Sequence, residues 1–256
     1  MKKTLLTLAS LALVTGVTAQ IADIASNAAY DDGWQNGDNG GTGFGAWDLT
    51  NNNNNGTDVF AGYFIGDSTD GAADINTGGE SFGIYANPGS AFATANRSFT
   101  SALSVNDQFT INLGVNFDNG NKGFNLRTGG TTAFGLNVGG GAQVNTAFTN
   151  NPSTAVYDYG GDALLQAVIT VISANSLSYE VSRTSSQGTQ DVLFSGTVTG
   201  ISGALDNIEL YNSGTDSGDA QNNLYFNNLS VTQVPEPSTL ALLGGLLAMI
   251  CLRRRF

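Results

Sequence analysis

The stretch "QFTINLGVNF", residues 108–117, alternates apolar and polar side chains and decides the fold class. Its apolar residues are Phe109, Ile111, Leu113, Val115 and Phe117. Because successive side chains of a strand point to opposite faces, this pattern predicts a β-strand with one buried face. Asp118-Asn119-Gly120 then supplies turn chemistry, and a return strand beginning at Phe124 and Leu126 is predicted, as in a β-hairpin.

The same alternation recurs along the chain, for example at Leu177, Tyr179 and Val181. Residues 163–172 could also form a helix, but their Val, Ile and Thr content favours a strand. In "LYFNNLSVTQV" the alternation slips at Asn227-Asn228, which predicts a β-bulge. Residues 37–58 are rich in Gly and Asn and are predicted to form a loop, with disorder as the alternative. The rest of the body contains about ten to twelve short strands, which predicts an all-β, two-sheet antiparallel sandwich of the jelly-roll type.

The first twenty residues, "MKKTLLTLASLALVTGVTAQ", have the three parts of a secretory signal peptide. Two lysines precede an apolar run, and small residues precede a predicted cleavage between Ala19 and Gln20. A transmembrane anchor is the alternative, but the run is short and no stop-transfer charges follow it. Residues 1–19 are therefore predicted to be a signal peptide and residues 20–232 the sandwich domain.

The last 23 residues, "VPEPSTLALLGGLLAMICLRRRF", form a second targeting segment. The apolar run Leu240–Leu252 would span ~20 Å as a helix, which is less than the ~30 Å hydrocarbon core. Three basic residues follow it and are expected to hold that end in the cytoplasm: Arg253, Arg254 and Arg255. A short transmembrane helix of this kind predicts a temporary hold in the inner membrane, with a buried core helix or an ordinary tail anchor as alternatives.

Pro235-Glu236-Pro237, followed by an apolar helix and a basic cluster, resembles the PEP-CTERM sorting signal of Gram-negative bacteria. The two prolines hold the segment extended, as a peptide that a processing enzyme can bind. The resemblance implies that residues 233–256 are a sorting signal, recognised by a membrane-embedded exosortase after signal peptidase has acted. It also implies an origin in bacteria that make exopolysaccharide.

The composition of the body excludes several functions. Without both ends the chain retains 20 acidic and 4 basic residues, a net charge of −16. Such a body is repelled by phosphate backbones, which excludes nucleic acid as a partner. The chain has no histidine and its one cysteine, Cys251, lies in the tail. Disulfides, thiolate nucleophiles, histidine-based triads and Cys/His zinc sites are thus excluded from the body.

Two sets of residues are candidates for ligand binding. An aromatic platform for sugar rings is predicted from Trp34, Trp47, Tyr63 and Tyr85, the alternative being that both tryptophans close the core. A calcium site is predicted from the oxygen-bearing residues of one Gly-rich stretch, Asp67, Asp70, Asp74, Asn76 and Glu80. The spacing of that stretch differs from an EF-hand loop, and a solvated acidic loop is the alternative.

Glycoside hydrolysis needs two carboxylates that face one sugar, ~5–9 Å apart. The body has three glutamates, Glu80, Glu180 and Glu209, and no compact strand motif of paired carboxylates. Glu180 alternates with Tyr179 and Val181 and is expected to face solvent. These observations favour a non-enzymatic protein.

The layout loosely resembles secreted jelly-roll domains of the concanavalin-A-like lectin type. The resemblance is carried by "AYDDGWQNGDNGGTGFGAWDL" (29–49) and "NNLYFNNLSVTQVPEP" (222–237) and assigns no binding residue. Together with the sorting signal it predicts an exported cell-surface or matrix protein with a structural or adhesive role associated with exopolysaccharide. A carbohydrate-binding module, with or without calcium, is the alternative, and a glycan-active hydrolase or lyase is a third.

Overall fold

The computed structural model describes residues 21–54, 58–139, 143–146, 150–152, 163–185 and 190–233. These ranges contain fifteen strands: β1 (Ile21–Asp23), β2 (Asp48–Asn51), β3 (Phe60–Gly66), β4 (Ser81–Asn87), β5 (Phe92–Ser98), β6 (Asp107–Val115), β7 (Asn121–Thr128), β8 (Thr131–Asn137), β9 (Gln143–Thr146), β10 (Asn150–Pro152), β11 (Ala163–Ser173), β12 (Ser176–Ser185), β13 (Gln190–Thr199), β14 (Asn207–Ser213) and β15 (Leu224–Gln233). Three 3₁₀ helices accompany them, at Ala28–Tyr30, Ser68–Asp70 and Ala220–Asn222. The strands beyond the predicted number include β1 and β10, whose three residues are too few for alternation to show.

The strands pair into two antiparallel sheets, which confirms the predicted sandwich. The eight-stranded sheet has the order β13-β12-β11-β6-β15-β4-β3, with β1 paired to β15. The seven-stranded sheet has the order β10-β9-β8-β7-β14-β5-β2. The predicted signal helix and the C-terminal transmembrane helix both lie outside the described residues.

The core lies between the inner faces of the two sheets. Phe109 and Leu113 of β6 are fully buried, as the alternation predicts. The Phe109 ring packs across the interior against Phe124 of β7, with 6.3 Å between ring centroids. At another point Phe134 of β8 packs against Tyr179 of β12 at 5.1 Å. Burial of these two apolar faces is the main stabilising contribution to the sandwich.

The predicted hairpin after residue 117 is wrong, because β6 and β7 belong to different sheets. The chain crosses from one sheet to the other between them, and Gly120 makes the turn with a φ of 67°. A Cβ on Gly120 would lie 2.5 Å from the Ser213 carbonyl oxygen, so the turn packs against the end of β14. Asn119 likewise donates to Asp216, 3.1 Å away. The turn chemistry is present, but its partners come from residues 213–216 and not from a closing hairpin.

Two local predictions are confirmed. Residues 163–173 form β11, which pairs along its length with β12 and β6. The pairing of β15 with β6 shifts register between Asn227 and Ser230, and Asn228 has a φ of 56°, as expected for the bulge. The buried Asn227 amide donates to the carbonyl oxygens of Ile75 and Glu80, which ties the loop 67–80 to this bulge.

Candidate functional site

The last described strand, β15, lies in the middle of the eight-stranded sheet. One of its edges pairs with β6 and the other with β4 and β1. Its final residue, Gln233, is still paired, with Asp107 at the start of β6. We call the end of the sandwich at which β15 finishes the exit end. The chain therefore reaches residue 234 directly from a central strand, without an intervening linker.

The N-terminal strand leaves the sheet at the same place. Ile21 of β1 pairs with Val231 of β15, two residues before the end of that strand. Directly opposed residues of antiparallel strands are ~5 Å apart. Both predicted targeting segments are thus attached to neighbouring strands at the exit end.

The exit end also carries an apolar pocket of about 340 Å³. Its buried walls include Leu103, Leu177 and Leu205. Val105 in its lining is 43% exposed, so the apolar surface continues outward from the pocket.

The two predicted tryptophans lie in the core. Trp34 is 5% exposed and Trp47 is 2% exposed, and their rings pack edge to face with centroids 5.1 Å apart. Trp34 also contacts Phe82 and Phe226 of the eight-stranded sheet at 5.0 and 5.5 Å. A sugar could not stack on either indole without displacing this packing. The residues Phe44 and Trp47 give the Gly/Asn-rich segment the buried contacts that hold it in place.

The two predicted tyrosines lie apart from each other. Tyr63 of β3 reaches across the sandwich, and its hydroxyl lies 2.5 and 2.9 Å from the carbonyl oxygens of Thr50 and Thr94 in the seven-stranded sheet. Burial raises the pKa of Tyr63 to about 12. Tyr85 of β4 is half-buried beside Phe64, with 6.4 Å between their centroids. The four predicted aromatic residues therefore do not form one surface.

The predicted calcium stretch is a loop stabilised by its own hydrogen bonds. Asp67 Oδ1 accepts from the backbone and hydroxyl of Thr69 and, at 2.6 Å, from the Asn76 amide. The bonds from Thr69 lower the pKa of the exposed Asp67 carboxyl. Asp74 caps the backbone N–H of Asn76, and Glu80 is exposed. Within the part of the chain that the structure describes, no three acidic, histidine or cysteine side chains are grouped to hold a metal.

A buried ion pair joins the N-terminal segment to the seven-stranded sheet. Arg97 of β5 and Asp23 of β1 are each 1% exposed, and Nη1 of the arginine donates to the aspartate. The Tyr30 hydroxyl donates to Asp23 at 2.5 Å and accepts from the Trp47 indole at 3.0 Å. The guanidinium carbon lies 4.9 Å from the Trp47 ring centroid, a cation–π contact. Burial and the neighbouring carboxylate both raise the pKa of Tyr30, which keeps its hydroxyl protonated.

A second buried cation lies at the opposite end of the interior. Lys122 of β7 is fully buried, and its Nζ donates to the Asn222 carbonyl oxygen at 3.1 Å. That carbonyl also accepts from Asn212, at 3.3 Å. Burial lowers the pKa of Lys122 to about 8, although the Asp118 charge acts in the opposite direction. This lysine has polar neighbours, but no acidic side chain forms an ion pair with it among the described residues.

Sequence reasoning missed both buried cations, although the alternation contained a signal. Lys122 falls in the same phase as the buried residues Phe124 and Leu126 of β7. Arg97 falls in the same phase as the buried Ala93 and Ala95 of β5. A charged residue on the apolar phase of a strand indicates a buried polar contact.

The outer face of the seven-stranded sheet carries a groove that sequence reasoning also missed. It has a volume of about 380 Å³ and crosses the central strands β5, β14 and β7. The outward side chains that line it are Phe92, Thr94, Asn125, Glu209 and Tyr211. Glu209 Oε1 accepts from Asn125 at 2.9 Å and from Arg127, whose guanidinium lies beside the groove. The lining thus combines aromatic surface with amide, hydroxyl and carboxylate groups.

Comparison with known proteins identifies the tail. Residues 233–255 match the PEP-CTERM protein-sorting motif, which confirms the predicted sorting signal. The match begins at the last residue of β15, so the motif follows directly on the sandwich. The chain is therefore an exported protein, sorted through the membrane, with an all-β body. In the described ranges, no helix is long and apolar enough to cross a bilayer.

The body is similar in architecture to several solved structures. The calcium-bound VIP36 exoplasmic/lumenal domain aligns with a TM-score of 0.43 and 8% identity, covering 75% of this chain and 85% of that chain. Peanut lectin with a 9mer peptide aligns with a TM-score of 0.37 and 11% identity, covering 74% and 99%. No curated protein matches the sequence. The fold assignment itself rests on the strand pairing described above.

Proposed function

We propose that this chain is a substrate of an exosortase-like enzyme, held briefly in the inner membrane and then delivered to the cell surface or extracellular matrix. There the sandwich has a structural or adhesive role associated with exopolysaccharide. The observation that supports this proposal is the position of the motif, which begins where the last paired residue of β15 ends. Removal of the tail after Gln233 would leave every described strand intact.

The geometry of the exit end fits this route. β1 and β15 are neighbours there, so the signal peptide and the sorting helix can enter one membrane without straining the sandwich. β15 is also a central strand, so the eight-stranded sheet is complete only after the residues just before the motif have been exported. Processing upstream of Gln233 would remove part of this strand, so we expect the cut between Gln233 and Leu240.

The body is proposed to act by binding and not by catalysis. Glu180 is exposed on the outer face of β12, as predicted, and Glu209 faces outward from the opposite sheet. Two carboxylates on opposite faces cannot act on one glycosidic bond. Glu80 lies in the loop over the eight-stranded sheet.

Carbohydrate binding is the second candidate function, and the groove on the seven-stranded sheet favours it. A half-buried tyrosine beside amide and carboxylate groups suits a ligand with both apolar C–H faces and hydroxyl groups. Calcium at residues 67–80 stays a prediction. This prediction is tested by measuring binding of a glycan panel with and without a chelator. Loss of binding in the presence of the chelator would support a calcium site.

The sorting proposal is tested by replacing Pro235, Glu236 and Pro237 with alanine in a host that carries an exosortase-like enzyme. We expect the variant to accumulate unprocessed in the inner membrane, and the unaltered chain to leave it without Leu240–Phe256. Mass spectrometry of the C-terminal peptide locates the cut. A matched control replaces Ser238 and Thr239 with alanine and should be processed normally.

Release of the triple-alanine variant at the normal rate would refute the sorting route. Recovery of the whole pool of unaltered protein in the membrane, still ending at Phe256, would refute it equally. A cut upstream of Gln233 would contradict the structural argument alone.

A further inference from the structure

The outer groove of the seven-stranded sheet is built around Tyr211. This residue of β14 pairs with Thr94 of β5 on one side and with Gly123 of β7 on the other. Tyr211 is only partly exposed, which fits a ring that lies along the sheet surface. Phe92 is 40% exposed and adds a second aromatic side chain to the lining.

The groove lies where β5, β14 and β7 run side by side. Phe92 pairs with Ser213 and Thr94 with Tyr211, and all four residues line the groove. Asn125 of β7 pairs with Glu209 and adds its amide to the lining. Gly123, which pairs with Tyr211 on β7, has no side chain that could cover the tyrosine ring.

The electrostatics of the groove suit an uncharged ligand. Its carboxylate, Glu209, contacts the Arg127 guanidinium, so the two formal charges offset each other. The body as a whole carries a net charge of −16, which disfavours approach of an anionic polymer. What remains available is aromatic surface with hydroxyl and amide groups, the combination that binds neutral sugars.

We propose that this groove binds a neutral glycan chain, with Tyr211 as the stacking residue and Asn125 and Glu209 as hydrogen-bonding groups. The inference rests on the carbohydrate-binding function proposed above and adds its location and ligand class. It places the site on the sheet opposite to Tyr85 and the loop 67–80, where the sequence candidates lie. The groove lining offers one carboxylate, Glu209, which Arg127 already contacts, so we expect binding there to be independent of a metal.

The test is calorimetric titration of the purified chain with xylohexaose, cellohexaose, laminarihexaose and mannohexaose, and with alginate as the anionic comparison. We expect at least one neutral oligosaccharide to bind, equally well in EDTA, and alginate not to bind. Tyr211→Ala should weaken binding about tenfold, which corresponds to ~1.4 kcal/mol, because it removes both the stacking contact and the apolar area that the ligand buries. Thr94→Arg, which fills the groove without removing a packed ring, should abolish binding.

Two control variants separate the possible outcomes. Phe60→Ala removes an aromatic side chain that is 47% exposed on the other sheet and should leave affinity unchanged. Tyr85→Ala tests the sequence candidate directly. If a neutral glycan binds but Thr94→Arg and Tyr211→Ala leave affinity unchanged, the groove is not the site, although the carbohydrate-binding function stands. If none of these glycans binds the unaltered chain, the function and the site both fail.

Discussion

Two cationic side chains, Arg97 and Lys122, are buried at opposite ends of the same interior, and the groups that surround them differ. Arg97 contacts an aspartate, two backbone carbonyl oxygens and the faces of Phe44 and Trp47. Among the residues that the structure describes, Lys122 has one backbone carbonyl as its hydrogen-bond acceptor and no ion pair. The arginine is therefore compensated by a carboxylate, whereas the lysine is not, and burial lowers the lysine pKa to about 8.

This difference indicates separate structural roles. The Arg97 cluster fixes the N-terminal segment, and with it β1, next to β15 at the exit end. Asn39 and the carbonyl oxygen of Gly40 also accept from Arg97, so the cluster holds the irregular segment before β2. Lys122 instead anchors the 3₁₀ turn that precedes β15 at the other end. Both cations position β15, the strand that continues into the sorting motif.

The largest effect is expected from breaking the compensated pair. Arg97→Met leaves Asp23 buried without its cation, which should lower the free energy of unfolding by about 3–5 kcal/mol. Urea denaturation of the purified chain measures the loss. Glu180→Met, at an exposed position on the outer face of β12, is the control and should change stability by about 0.5 kcal/mol or less.

Removing both charges sharpens this prediction. Arg97→Met combined with Asp23→Leu should recover much of the lost stability, because no uncompensated charge remains in the interior. A double variant as unstable as Arg97→Met alone would mean that the geometry of the network matters more than its charge balance.

The second prediction concerns Lys122, whose charged form destabilises the folded chain because it is buried without a carboxylate among the described residues. Its pKa is about 8 in the folded chain and 10.5 ordinarily, so between these values the unfolded state binds more protons. Stability should therefore rise with pH through this window, by on the order of 3 kcal/mol relative to Lys122→Met. The tyrosines titrate in the same way in the unaltered chain and in Lys122→Met, so their contribution cancels in the difference between the two proteins. A constant difference between the two proteins from pH 7 to 10 would show that Lys122 is compensated after all.

The sequence predicts the strands well where one face is wholly apolar. The alternation over residues 108–117 places β6 in the correct phase, the Val, Ile and Thr content of residues 163–172 identifies β11 as a strand, and the slip at Asn227-Asn228 locates the bulge. The sequence pattern fails to predict the connection from β6 to β7, because the turn at Gly120 has the same local chemistry whether the chain folds back or crosses to the second sheet. Sheet membership depends on distant partners, which a local pattern does not contain.

The candidate sites were harder to predict for a related reason. Aromatic residues suit both sugar stacking and core packing, and in Trp34 and Trp47 the core packing is what the structure shows. Tyr211 lies in "NIELYNS", a stretch without a distinctive motif, and becomes part of a groove only through Thr94 and Asn125 on neighbouring strands. The sorting motif was readable because all of its elements are contiguous in sequence.

The smallest effect is expected from the Arg127–Glu209 ion pair on the outer face of the seven-stranded sheet. Arg127 and Glu209 have side chains that are 25% and 14% exposed, in contrast to the fully buried Arg97–Asp23 pair. Water and salt screen a pair of this kind, so the coupling energy between Arg127→Gln and Glu209→Gln should be about 1 kcal/mol or less.

A double-mutant cycle measured by urea denaturation at low salt and in 0.5 M NaCl tests this value. We expect the Arg127–Glu209 coupling to fall in salt, because a partly exposed pair is accessible to counterions, and the Arg97–Asp23 coupling to remain unchanged. An outer coupling above about 2 kcal/mol would mean that the groove is electrostatically as closed as the core. In that case Glu209 would be held by Arg127 too strongly to accept a hydrogen bond from a sugar, which would contradict its role in binding a neutral ligand.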